Sequence, residues 1–244
     1  MPDGRTECVW SGLQGDSLSL SIANAVNAAP GPVMLVTADV QAAEQLRDHY
    51  AFFNAGTDIP AVIFPDWETL PYDGFSPYQD IISDRLATLY RLPQLGRGLL
   101  IVAAPTLMQR LPPVEFVTRN SLILQTGERL DLERVRGHLD LAGYHCVSQV
   151  MEHGEFAVRG ALLDLFPMGS DAPYRIDLFD DEIESIRTFN PEDQRSLDAQ
   201  DVIRILPARE FPFDESSIKL FRRRFRAMFE GDPQACPIYR DVSN

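Results

Sequence analysis

The chain has 244 residues, 45% of them hydrophobic and 24% charged. That balance excludes a disordered acidic tail, a collagen-like repeat and a disulfide miniprotein, and the length suits one large domain or two modest ones. Its 22 basic and 36 acidic residues give a formal charge of −14, which argues against sequence-independent DNA binding, because that affinity comes from cations that neutralise phosphates.

Residues 1–118 read as alternating helices and buried strands. SLSLSIANAVNAA, VQAAEQLRDHYAFF and ISDRLATLYRL have helical character, and in the last of these Ile82, Leu86, Leu89 and Tyr90 follow helical spacing and predict one apolar face. Val33–Ala38, Ala61–Phe64 and Leu99–Ala104 are short, apolar and β-rich. Near-continuous apolar strands alternating with helices predict a parallel sheet covered on both faces. Pro65–Asp80 is rich in aromatics and prolines and fits either a binding platform or the packed cover of a sheet edge.

Residues 119–206 change character. SLILQT reads as a strand and LDLERVRGHLDLAGY as one helix with a glycine near its end. HCVSQVME, VRGALLDLF, YRIDLFD, EIESIRTF and DVIRIL are β-rich and partly separated by turn-like spacers. One helix followed by consecutive strands predicts a small α+β domain with an antiparallel sheet. In residues 207–244, Asp214 is a good N-cap for a helix from about Glu215 to Phe229, with Gly231 and Pro233 as stops. Ile218, Phe221, Phe225 and Phe229 predict its packing face, surrounded by Arg222, Arg223, Arg224 and Arg226. The remainder has no clear fold of its own, as expected of a piece of a longer protein.

The candidate chemistry is sparse. Gly12, Gly15, Ser17, Leu18 and Ser19 lie in a frame that resembles the phosphate loop G-x-x-x-x-G-K-[ST], but Ser17 replaces the second glycine and Leu18 the lysine. Asp16 adds an unfavourable negative charge, and the one lysine of the chain, Lys219, is some two hundred residues away. Nucleotide is therefore not expected as a cofactor, and neither is any other. Asp180 and Asp181, after an apolar strand, mimic a magnesium-holding pattern but fit a turn between two strands better. His145, Cys146 and His153 lack the tight spacing of a zinc site. Cys8, Cys146 and Cys236, odd in number and widely spaced, point to a reducing cytoplasm. No apolar run reaches the roughly 20 residues of a membrane span, and MPDGRTECVW lacks the core of a secretion signal.

DWETLPYDGFSPYQDIISDRLATLYRL, GLLIVAAPTLMQRLPP, VMEHGEFAVRGALLDLFPMGS and PYRIDLFDDEIESIRTF resemble, colinearly, the N-terminal region of the bacterial transcription-repair coupling factor (Mfd). The chain is also similar to the repair protein UvrB, which keeps an intact phosphate loop where this chain does not. The resemblance implies a split helicase-like α/β domain that has lost ATP hydrolysis (residues 1–118, returning at 207–244), interrupted by an inserted UvrA-binding domain (119–206). It implies UvrA as partner, with polymerase-binding and motor regions elsewhere in the parent, which would be an ATP-dependent DNA translocase. In the family, two arginines and a phenylalanine contact UvrA, and they match Arg159, Arg175 and Phe179. The alternation in YRIDLF puts Arg175, Asp177 and Phe179 on one face and Ile176 and Leu178 on the other. The expected function is thus a non-enzymatic UvrA-recruiting module of nucleotide excision repair. The alternatives are a UvrB-type nucleotide-dependent damage-binding helicase relative and a purely structural domain.

Overall fold

The computed structural model describes residues 9–70, 73–232 and 235–243. The chain divides into two compact units between Val117 and Thr118. Cys8, Tyr72 and Pro233 lie outside the described residues.

The first unit runs α1 (Ser17–Ala28), β1 (Val33–Thr37), α2 (Val40–Phe53), β2 (Ala61–Ile63), α3 (Gln79–Arg91), β3 (Leu99–Ala103) and α4 (Ala104–Leu107), with α5 (Val114–Arg119) at the boundary. The three strands form a parallel sheet in the order β1-β3-β2. Ile22, Ala23 and Val26 of α1 and Ala43 and Tyr50 of α2 cluster with Leu99 and Ile101 of the central strand, with Val33, Leu35 and Ile63 partly buried against them. Period-2 alternation explains which strand residues take part. On the opposite face Val102 of the central strand is buried, but Met34 and Val36 of the edge strand β1 are exposed, so the expected cover on both faces is incomplete at that edge.

The face expected on α3 is also corrected. Leu86 is buried, but Ile82, Leu89 and Tyr90 are only half-buried, and the largest buried side chain of the helix is Arg85, 0% exposed. Its guanidinium lies over the rings of Phe64 (4.4 Å to the centroid) and Trp67 (4.7 Å) and donates to the Gln109 amide oxygen at 2.9 Å and to the Pro65 carbonyl. Flat, weakly hydrated guanidinium stacks well on aromatic faces, so helical periodicity alone misassigns this position. The start of the aromatic segment 65–80 is thereby packed, whereas Leu70, Phe75 and Tyr78 are exposed. The short helices α4 and α5 have no clear signal in the sequence.

The second unit contains β4 (Leu122–Gln125), α6 (Leu132–Ala142), β5 (His145–Cys146), β6 (Glu155–Arg159), β7 (Leu162–Leu165), β8 (Tyr174–Phe179), β9 (Glu182–Phe189), β10 (Ser196–Gln200), β11 (Val202–Ile205), α7 (Glu215–Met228) and α8 (Pro237–Ser243). Six strands form one sheet in the order β10-β9-β8-β7-β6-β5, while β4 and β11 pair separately and antiparallel. The sheet is mixed rather than antiparallel throughout, because β5 runs parallel to β6. Only two residues of HCVSQVME are in a strand. The segment after Cys146 turns away so that Val147 and Val150 pack on Ala157, Phe166 and Phe189. VRGALLDLF is split into the end of β6 and all of β7 by a turn at Gly160, whose φ of +63° suits glycine. Strand β10 is polar and mostly exposed, which hides it from hydrophobic patterning.

Helix α6 is capped by the Asp131 carboxylate, which accepts from the Glu133 and Arg134 N–H groups, and ends at left-handed Gly143. Any Cβ there would meet the Arg209 side chain at 2.7 Å. Asp214 caps α7 as expected. The packing face expected on α7 is only partly formed: Ile218 and Phe225 are half-buried, Phe221 and Phe229 exposed. Phe225 instead stacks with Phe229 at 5.0 Å and with Tyr239 of α8 at 5.4 Å. Buried Tyr144 donates its hydroxyl to the Leu206 carbonyl at 2.6 Å and accepts from the Met168 N–H at 3.1 Å.

Burial pushes the Tyr144 phenol well above its ordinary value. The folded state therefore holds this proton after an unfolded chain has lost it, and stability contributed by Tyr144 is complete below about pH 10 and declines above it. Tyr144→Phe is expected to cost about 2 kcal/mol at neutral pH, by leaving the Leu206 carbonyl and Met168 N–H unpartnered, and to flatten the alkaline decline. Urea unfolding followed by circular dichroism from pH 7 to 11 measures both effects.

Candidate functional site

The degenerate phosphate loop lies ahead of α1. Gly12 and Gly15 have φ of +75° and +54°. No strand leads into the loop among residues 9–11, although a nucleotide-cradling loop joins a strand to a helix. Ser17 opens the helix and donates its hydroxyl to the Gln14 carbonyl at 2.7 Å. Leu18 is exposed, Ser19 is buried, and Asp16 faces His49 at 3.6 Å. Lys219 pairs with Glu215 on α7 at 3.1 Å.

Of the two histidines singled out in the sequence, His145 is exposed on β5 and His153 packs within the fold. His153 lies in the loop before β6, not on a strand. Its ring stacks on Phe166 at 3.9 Å, and its Nε2 is 2.8 Å from the Ser170 carbonyl. Asp180 and Asp181 form the β8–β9 turn, with Asp180 at φ +55°, and Arg129 reaches Asp181 at 3.6 Å.

The three candidate binding residues all lie on the strands β6 and β8. The register sets Ala157, Asp164, Arg175 and Arg187 side by side across β6 to β9, and Arg159, Leu162, Asp177 and Ser185 in the adjacent row. On β8, Ile176 and Leu178 are buried and Phe179 is 70% exposed, as the alternation predicts. Phe179 is the last residue of its strand, paired with Glu182 and followed by the acidic turn. A ring this exposed contributes little to the fold.

Arg175 shares that face but is not a free surface side chain. Its side chain is 17% exposed, and it grips Asp164, which is 0% exposed, in a two-pronged pair: Nε to Oδ1 at 2.8 Å and NH2 to Oδ2 at 2.9 Å. NH1 donates to the Gln194 carbonyl at 2.9 Å, and the guanidinium lies 4.8 Å from the Phe189 ring centroid. The hydrogen bond to Asp164 is the main reason that the Arg175 pKa is raised further. Gln194, left-handed at φ +61°, donates its side-chain amide to the Val150 and Pro191 carbonyls, tying the 147–153 loop to the same cluster. Arg159, 49% exposed, makes one longer contact to Asp164 at 3.3 Å. Both candidate arginines thus converge on one buried carboxylate.

Sequence reasoning missed Asp164 and Gln194. The signal for Asp164 was present: an acid inside the apolar run ALLDLF must find a counter-charge when the strand is buried.

A family model described as the UvrB interaction domain matches residues 122–211, the segment that carries Arg159, Asp164, Arg175 and Phe179. The chain is 50% identical over 231 residues to the transcription-repair-coupling factor of Escherichia coli K12, an alignment that covers 95% of this chain and 20% of that protein. It is 52% identical over 184 residues to the factor of Haemophilus influenzae (74% and 16%), and 28% identical over 208 residues to that of Bacillus subtilis (85% and 18%). The chain belongs to the transcription-repair coupling factor family. It corresponds to the N-terminal region of that family, with the UvrB interaction domain, and spans about a fifth or less of the length of the curated relatives it matches. Among the described residues of this coupling-factor chain, no helix is long and apolar enough to cross a membrane.

Removing one partner of a buried ion pair costs about 3–5 kcal/mol, because the other charge is stranded. Arg175→Ala is therefore expected to destabilise the second unit by about 3 kcal/mol, whereas Phe179→Ala stays within about 0.5 kcal/mol of wild type. Both tryptophans, Trp10 and Trp67, are in the first unit, so urea unfolding is best followed by circular dichroism. Loss of stability in Phe179→Ala with none in Arg175→Ala contradicts the assignment.

Proposed function

We propose that this chain is a non-catalytic module that recruits UvrA, linking stalled transcription to nucleotide excision repair in the bacterial cytoplasm. The observation that carries the reading is Phe179, an exposed aromatic on a face organised by two arginines, inside the segment that matches the UvrB interaction domain. Aromatics and arginine are the residue types that dominate binding hot spots. Phe179 buries its ring against UvrA, Arg159 offers its exposed guanidinium to an acidic group there, and Arg175 supplies a fixed positive floor beside them.

The action is docking rather than nucleotide chemistry. Leu18 occupies the place of the lysine that reaches the terminal phosphates, and Asp16 repels them. On this reading residues 119–206 are the docking insert of a split α/β domain formed by 1–118 and 207–244. Polymerase contact and DNA translocation then belong to the parts of the full-length relatives beyond the matched fifth.

Titration calorimetry of the chain against purified UvrA tests the proposal. Wild type is expected to bind saturably, and Phe179→Ala to weaken binding about thirtyfold, the equivalent of about 2 kcal/mol. A wild-type chain that shows no heat of binding, or a Phe179→Ala chain that binds equally well, sinks the proposal.

A further inference from the structure

We infer that Arg187 is a third arginine of the docking face, one that takes a carboxylate of the protein partner and sets specificity for an acidic segment. The inference rests on the reading of this face as the UvrA-docking surface. It adds a residue on a different strand from the three matched through the family.

Arg187 on β9 stands directly opposite Arg175 on β8, and Ala199 on β10 flanks it on the other side. Like charges directly opposite on one sheet face repel unless a counter-charge intervenes. Asp164 supplies one, but to Arg175: the two-pronged pair uses both carboxylate oxygens, and Arg159 touches the same group from β6. That row therefore holds one acid and two arginines, and the acid is already engaged. Arg187 is exposed and, among the described residues, makes no ion pair or side-chain hydrogen bond. Asp177 and Glu184 line the same depression, but among the described residues neither forms an ion pair with Arg187, so its guanidinium keeps donors open to a partner.

Arg187 also lines a groove. An open depression of about 440 Å³ is formed by Arg159, Leu162, Asp177, Glu184, Ser185 and Arg187 among others. Arg159 and Arg187 are three strands apart, roughly 14 Å at ordinary strand spacing, so they form opposite rims. Leu162 and Asp177 lie between them, and Phe179 follows two residues beyond Asp177 on β8. Asp177 is turned toward Ser185, whose hydroxyl donates to it at 3.2 Å. A β-bulge between Asp177 and Leu178 puts both Glu184 and Ser185 on the open side. The groove thus presents a cation on each rim, with the Asp177 and Glu184 carboxylates in the lining between them, and an aromatic at one end. Its complement is a protein segment with an acidic side chain toward each rim and an apolar side chain for Phe179. Arginine suits this role because its planar fork meets a carboxylate with two parallel bonds.

The test compares Arg187→Gln and Arg187→Glu with Arg47→Glu, which makes the same charge change on the exposed side of α2. Each variant of the full chain is titrated against UvrA and its thermal midpoint recorded. Arg187→Gln is expected to weaken binding about tenfold and Arg187→Glu further, through like-charge repulsion, with thermal midpoints unchanged. Arg47→Glu is expected to stay within about twofold, which separates the local contact from net charge. Arg187 variants that bind as Arg47→Glu does, while Phe179→Ala still loses affinity, overturn the inference and leave the UvrA reading standing. A fall in thermal midpoint in step with affinity for Arg187→Gln also overturns it, since the residue would then be structural. A wild-type chain that does not bind UvrA removes both.

Discussion

Asp164 is a fully buried carboxylate in the middle of a β-sheet, and the second unit is arranged around its charge. An unpaired acid there would cost several kcal/mol, so the neighbouring strands supply arginines: Arg175 with two parallel bonds, Arg159 with one. Arg175 in turn needs acceptors for its remaining donors, and the left-handed Gln194 provides a carbonyl while its side chain holds the 147–153 loop. Phe189 closes the cluster beneath the guanidinium. One charge thereby fixes the relation of β6, β7 and β8, the turn before β10 and the loop before β6. This is the segment that matches the UvrB interaction domain.

Much of this was legible in the amino-acid sequence where a single periodicity dominates. VMLVT, LLIVA and YRIDLF announce their strands because burial on one or both faces leaves an unbroken or alternating apolar signature. The same alternation separates Phe179 from Ile176 and Leu178. The signature fails where side chains are buried for reasons other than hydrophobicity. Arg85 is packed by aromatic rings, and Asp164 by arginines that are distant in sequence, so neither is apparent from local pattern. It fails also for β10, which is joined to the sheet by backbone pairing and buries almost nothing. The parallel pairing of β5 with β6 depends on how the loop between them folds, which no window of a few residues encodes.

The first unit shows a different economy. The segment ahead of α1 has two glycines with positive φ, Gly12 and Gly15, but Ser17 stands where a phosphate loop has its second glycine and exposed Leu18 where it has its lysine. The helix that follows has a structural role of its own, since Ile22, Ala23 and Val26 anchor α1 to the sheet.

The grip on Arg175 has a consequence for the kinetics of association. A long side chain on a protein surface samples many rotamers, and immobilising it on docking costs roughly 0.5–1.5 kcal/mol. Arg175 has met that cost when the sheet forms, because its Nε, NH1 and NH2 groups all have partners within the fold. If this face docks a partner as proposed, that partner meets a charge already fixed in direction, next to the freer guanidiniums of Arg159 and Arg187. Part of the face is thus a rigid template and part an adjustable rim. On the proposed docking reading, the exposed rim acts on the rate of encounter and its salt dependence, and the fixed template on how long the complex lasts.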